Sequence, residues 1–305
     1  ANIQTVVSAA TIDTAANVNV TVDSGTATVA QQIAIDAQTT GTITATIAEG
    51  DVSSLKTLTA SGGVHALTIN ITDTSASASD LNTIDSKTSV NVNASAIENI
   101  TSSAIADVKT LITNKTTAGI DTNWNVVVSD ATLSSTDLNS LDLNTSGTIT
   151  LSNATTINVA NGETLNLNNF TLSNSVTIND SSGNENITGT SNSDTLNLNG
   201  GNDTVNLGEG SDTVNVNIGN IDTNDNVTDT GTSGTDTLNV NGTGTIDSAS
   251  LIDVSGFETL NLGSGDNTIT FDDTTEFSNF TSEFTNIVDA GGTDTLSFGS
   301  TAVTG

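Results

Sequence analysis

Polar and apolar residues alternate along most of this chain. Segments 17–22, 42–47, 67–72, 90–93, 124–128 and 148–151 set Val, Ile, Leu or Ala mostly at every second position. Period-two alternation with β-branched residues predicts half-buried strands. Their starts recur every 23–25 residues, with one wider gap after residue 93 that 96–100 partly fills. Between the strands runs a second unit of the form Asp, apolar, two further residues, apolar. It occurs at Asp51–Leu55, Asp80–Ile84, Asp107–Leu111 and Asp137–Leu141, at spacings of 29, 27 and 30 residues. Apolar residues three apart share a helical face, and an acid suits the first turn. Each unit therefore predicts a one- or two-turn helix joining two strands. Lys56, Lys87, Lys109 and Lys115 fall in or just after these pieces, where a cation suits a helix end. Residues 1–155 thus read as a solenoid of strand and short-helix coils, each about 25–30 residues long.

From residue 156 the spacing shortens. Strand-like pieces at 156–159, 163–168, 170–172 and 176–178 lead into a run, 184–218, with an acid every nine positions: Glu185, Asp194, Asp203 and Asp212. Each of the three aspartates is followed by Thr and then by Leu196, Val205 or Val214, with turn-forming residues in front. Nine residues accommodate one tight turn and one short strand. Wider-spaced copies follow at Asp236, 257–265, 266–271 and 291–298. Residues 156–305 read as a β-roll or β-helix, with Phe271, Phe277, Phe280, Phe284 and Phe298 gathered into a C-terminal cap. The absence of Pro suits long parallel ladders, which need every backbone N–H. The fold class is mainly β, a parallel β-solenoid with short helices in its N-terminal half.

The 184–218 run resembles the calcium-binding nonapeptide repeats, GGxGxDxUx, of RTX proteins, which are bacterial exoproteins exported by type I secretion. Gly201 and Gly210 hold the position two before Asp, whereas Asn192 replaces Gly before Asp194. The units between residues 51 and 141 are similar to stretches of large RTX-type surface proteins, and 255–262 resembles a segment of S-layer proteins and giant adhesins. The resemblance implies Ca2+ as cofactor. Equivalent aspartates in turns about 4.8 Å apart repel unless a cation lies between them. Calcium takes six to eight oxygen ligands, and glycines expose carbonyls. Asp194, Asp203 and Asp212, with Glu185 and carbonyls near Gly201, Gly208 and Gly210, form the candidate ion ladder. Asp236, Asp266 and Asp294 are further candidates. The alternative is that these acids are Asx-turn or capping groups without metal.

Composition narrows the function. Against 35 acidic residues stand 4 basic ones, for a formal charge of −31. Such a chain repels phosphate backbones and anionic membranes, so nucleic-acid partners are excluded. No stretch has the ~20 apolar residues of a membrane helix. With no Cys there are no disulfides, and another staple is needed. No cleavable signal is visible, and a start at Ala1 without Met reads as processing or trimming. His65, the single histidine, lies in a Gly-rich turn and reads as a surface residue without a nucleophile to activate, so the chain is not read as an enzyme. Trp124 reads as a core anchor or interface residue rather than a sugar platform. Rows of Thr and Asn would suit ice binding on a β-helix face, but their register looks irregular and they read as solvated.

The expected function is an extracellular structural protein, secreted by type I export, that self-assembles through copies of itself into a surface layer or filament in calcium. An adhesin or adhesin stalk is the rival, with a cell-surface glycan as its partner.

Overall fold

The computed structural model describes residues 16–23 and 25–299, without the side chains of Thr116 and Thr117. Ala1, from which processing is read, lies outside them. The chain divides into two compact units, one of Ala1–Ser129 with Leu141–Thr150, the other of Asp130–Ser140 with Leu151–Gly305.

Among the described residues of the first unit the strand pairings are parallel. Val20–Thr21, Ile43–Thr46 and Ala66–Thr68 form one sheet, and Ser75–Ala76, Asn99–Ser103 and Asn125–Val128 belong to another. Val20 lies on Ile43, Thr44 on Ala66, Ser75 on Asn99 and Asn99 on Asn125, so a coil takes 22–26 residues. Helices lie between strands at Val29–Asp36, Val52–Leu55, Ala78–Asp85 and Ile105–Thr113. Their apolar positions three apart, Val52 with Leu55, Leu81 with Ile84 and Val108 with Leu111, are all buried. Asp51 is an N-cap accepting from Ser54 N–H, whereas Asp80 and Asp107 sit inside the first turn. That offset accounts for three of the 29 residues between Asp51 and Asp80, whereas Asp80 and Asp107 hold the same helical position and their interval of 27 is that of the helices themselves. Caps also come from the next coil: Val29 N–H donates to Glu49 at 2.9 Å and Val52 N–H to Asp73 at 2.8 Å. A backbone donor orphaned at one helix start is thus satisfied by the following turn.

His65 departs from expectation. It is 0% exposed, its Nε2 lies 2.8 Å from Asp36 Oδ1, and its Nδ1 faces Ile43 N–H at 3.3 Å. Asp36 also accepts from Ser61 N–H and Oγ. The histidine is a satisfied core group, paired because a buried polar ring needs partners.

The second unit holds a broad parallel sheet of eight strands, Thr132–Ser134, Thr156–Asn158, Thr177–Asn179, Thr195–Leu198, Thr213–Asn217, Thr237–Asn241, Thr259–Leu262 and Asn286–Asp289. A second parallel sheet runs through Thr164–Asn166, Asn186–Thr188, Thr204–Asn206, Asn226–Thr228 and Val254–Ser255. Consecutive nine-residue repeats alternate between the two sheets, so one coil is eighteen residues: Thr177 lies on Thr195, and Thr195 on Thr213. Inward columns such as Ile157, Ile178, Leu196, Val214, Leu238 and Leu260 are 0% exposed and form the core. Outside, the rows expected to be irregular are in register. Thr132, Thr156, Thr177, Thr195, Thr213, Thr237 and Thr259 stack in one rank. Two residues along, Asn side chains bond in series: Asn179 to Asn158 at 2.9 Å, Asn197 to Asn179 at 2.7 Å, Asn215 to Asn197 at 3.0 Å and Asn239 to Asn215 at 2.7 Å. The series ends at Asn239, whose Oδ1 is buried without a partner, as is that of Asn261.

Beyond the broad sheet's later strands the phenylalanines cluster about the helix Thr274–Glu283. Phe271 meets Phe277, Phe280 and Phe298 at ring-centroid distances of 5.3, 5.2 and 5.5 Å.

Candidate metal centre

The turns that join the two sheets carry the acids. Because a coil is eighteen residues, acids nine apart lie on different sheets and acids eighteen apart stack. The single ladder expected from Asp194, Asp203 and Asp212 is therefore two ladders. In one, Glu185 N–H donates to Asp203 Oδ1 at 2.8 Å, and Asp203 N–H to Asp225 Oδ1 at 2.9 Å. In the other, Asp194 N–H donates to Asp212 Oδ1 and Asp212 N–H to Asp236 Oδ1, both at 2.6 Å. Each acid reaches back to hold the amide of the acid one coil earlier. This spends one carboxylate oxygen and leaves the other to be accounted for.

Two groups of acids result. The ligand oxygens of Asp180, Glu185 and Asp203 lie within 4.8 Å of one another, as do those of Asp212, Asp229 and Asp236. All six residues are buried, from 0% exposure at Asp203 and Asp212 to 6% at Asp180 and Asp229. Asp180 Oδ1, Glu185 Oε2 and Asp203 Oδ2 have no hydrogen-bond partner, nor do Asp212 Oδ2 and Asp229 Oδ2. Their sister oxygens are engaged: Asp180 Oδ2 by Asn199 N–H at 3.1 Å, Glu185 Oε1 by Gly162 N–H at 2.6 Å, and Asp229 Oδ1 by Gly231 N–H at 2.8 Å.

Burial and like charge act together on these carboxyls. Desolvation first, then the charges of Glu185 and Asp203, push Asp180 up to about 7. Desolvation also pushes Asp203 up to about 6, with Glu185 and Asp225 adding to it. Asp212 rises to about 8, again from desolvation first and then from Asp229 and Asp194. Asp229 and Asp236 are raised for the same leading reason.

The glycines set the approach of the turns. Gly201 has φ +156°, and a Cβ there would lie 1.4 Å from the Gly183 carbonyl oxygen. Gly234, at φ +109°, would put a Cβ 1.5 Å from the Gly210 oxygen. A Cβ on Gly231 would meet the Gly208 oxygen at 2.1 Å and Asp229 Oδ1 at 2.9 Å. Only glycine lets stacked turns close to this distance.

Of the residues expected from sequence, Glu185 and Asp203 enter the first group, and Asp212 and Asp236 the second. Asp194 enters neither: Val176 N–H occupies one oxygen, and Thr190 N–H and Oγ1 occupy the other. Asp294 is exposed and accepts from Asn267 N–H at 2.9 Å, and Asp266 accepts from Thr293 N–H at 2.8 Å. Gly201, Gly208 and Gly210 all lie in the close-stacked turns. Sequence reasoning missed Asp180 and Asp229. Each directly follows a strand, Thr177–Asn179 or Asn226–Thr228, and precedes the Gly-containing turn of its group. An acid at that place was the available signal.

Buried carboxylate oxygens without donors, no sulfur, and tight turns lined with carbonyls fit a hard cation with oxygen ligands. Residues 180–214 match the RTX calcium-binding nonapeptide repeat, in four copies. No curated protein and no solved structure matches the chain. The repeat binds calcium, and Ca2+ is the cofactor of this chain. Such repeats are typical of secreted extracellular proteins. No helix among the described residues is long and apolar enough to cross a membrane.

Proposed function

We propose that this chain is an extracellular structural protein, completed by calcium after export, that assembles with copies of itself into a surface layer or filament. The observation that carries the proposal is the pair of buried three-carboxylate groups with unpartnered oxygens. Without a cation, each group either holds protons or suffers the repulsion of charges taken out of water. Bound Ca2+ supplies the compensating charge, and binding only to the folded chain stabilises it by mass action. The chain's own part is geometric. Backbone amides fix one oxygen of each acid, and the glycine turns bring successive coils close enough to share an ion. Where free calcium is scarce, as inside a cell, the second unit stays loose and exportable, which suits type I secretion.

No catalytic role is proposed.

The test is a calcium titration of the chain, followed by circular dichroism and negative-stain electron microscopy of the same samples. A β signal gained with calcium and lost in chelator, together with ordered sheets or fibres, is expected. Folding without assembly would favour the adhesin module, with a glycan as its partner. A β signal indifferent to calcium would sink the proposal.

A further inference from the structure

The calcium groups do not use the outer face of the broad sheet, whose outward residues stay in register from coil to coil. The threonine rank runs in register from Thr132 to Thr259. The neighbouring rank runs from Ser134 through Asn158 to Asn261. Strand geometry sets both as a grid, about 4.8 Å between coils and about 6.6 Å along a strand. Neither rank contains a charged residue, although the chain carries −31. Asp194, Asp212 and Asp236, which precede three of these threonines, are buried, whereas Glu258 before Thr259 is exposed at the end of the rank.

The uniformity is specific to this face. In the other sheet of the same unit, Thr164 lies on Asn186, Asn186 on Thr204, and Thr204 on Asn226, so Thr and Asn alternate from coil to coil. β-Propensity and the need for polar outer residues act on both sheets alike. They explain the composition of each and leave the unmixed ranks of one unexplained.

We propose that this face binds ice. A threonine offers a hydroxyl to hold a water and a methyl to restrict its neighbours, and a rank of them repeats that arrangement at a fixed interval. The Asn amides are held by one another from Asn158 to Asn239, so their orientation is set before any partner arrives. Side-chain ladders of this kind also hold a long parallel sheet against its twist. The partner that fits is neutral, periodic and built of hydrogen bonds. The ranks offer no cation for an anionic polymer, no carboxylate for a mineral and no aromatic ring on which a sugar could stack. The surface of an ice crystal meets all these conditions.

The experiment uses the full chain in calcium, fluorescently labelled, and measures uptake into a growing ice hemisphere and thermal hysteresis. Circular dichroism of the same sample separates loss of fold from loss of binding. Expected are uptake into ice and measurable hysteresis, reduced about ten-fold or more by Thr213→Lys at the centre of the rank and unchanged by Thr204→Lys on the other sheet. Thr213→Val, which keeps the strand-forming branch, should lower hysteresis by a smaller factor. A folded chain that stays in the liquid overturns the proposal. So does equal loss in both Lys variants, or a Thr213→Lys effect confined to association between copies. Because the calcium proposal is read from the β signal and this one from ice, each can fail alone.

Discussion

Asp194 and Asp212 stand eighteen residues apart at equivalent places in the repeat, yet their surroundings separate them. Three donors from Val176 and Thr190 use both oxygens of Asp194. Asp212 accepts from Asp194 N–H and keeps Oδ2 free beside Asp229 and Asp236. Asp194→Asn turns an amide against donors, and is expected to cost about 1–3 kcal/mol of stability while leaving calcium stoichiometry unchanged. Asp212→Asn should remove one bound calcium with little loss of stability in chelator, since it also relieves repulsion. Isothermal titration calorimetry with melts in chelator distinguishes them; loss of a calcium from Asp194→Asn would contradict the assignment. From sequence the two aspartates look alike. What differs is Thr190, four residues before Asp194, where Gly208 stands before Asp212, and the meaning of that exchange depends on which donors the fold brings near.

The coil is the element on which the molecule is built, and its length depends on how repeats are distributed between sheets. A nine-residue period is visible in the chain, but whether it means a nine-residue or an eighteen-residue coil depends on whether successive strands stack or face each other. Here the strands face each other, since each apolar column needs an opposing column to bury against. The short helices were legible from their apolar spacing. Val29–Asp36 was missed although Thr28 and Gln31 form a capping box in it, because this helix lacks the leading Asp of the others. The glycine turns carry the element's tightest constraint. Gly234→Ala would bring a Cβ against the Gly210 oxygen at positive φ, whereas Gly219→Ala meets nothing within 4 Å and bears only the strain of φ +90°. The strain alone is worth about 1–3 kcal/mol. Thermal melts in calcium should show a clearly larger loss for Gly234→Ala, and equal losses would refute the close stacking of these turns.

At the scale of the molecule, the balance of charge makes stability depend on pH and calcium together. Asp203, Asp180 and Asp212 hold their protons up to about 6, 7 and 8, against an ordinary value of 3.8. An acid that binds its proton more tightly in the fold than in the unfolded chain stabilises the fold fully below the ordinary value. That stability is lost as pH rises through the folded values. In chelator the second unit is therefore expected to melt at a higher temperature at pH 5 than at pH 8. Calcium, which competes with the protons, should reverse the order. Asp36 works oppositely. Burial would raise it, but hydrogen bonds from Ser61 and His65 outweigh that and hold it at about 2, so its contribution is lost only as pH falls from about 4 toward 2. Differential scanning calorimetry across pH, with and without calcium, checks the sign; a chelated second unit that weakens on going from pH 8 to 5 would contradict it.

Strand alternation, the nine-residue period, the acid excess and the calcium chemistry were all determined by the chain itself. Each rests on local periodicity or on composition, which no fold can alter. The tertiary structure alone decided which acids meet. Asp180 and Asp203 are 23 residues apart, and Asp212 and Asp236 are 24 apart. Those intervals come together only when one coil is laid in register on the next. The same stacking turned scattered threonines and asparagines into ranks and put His65 in the core, because register is a property of pairs of strands and cannot be read from either strand alone.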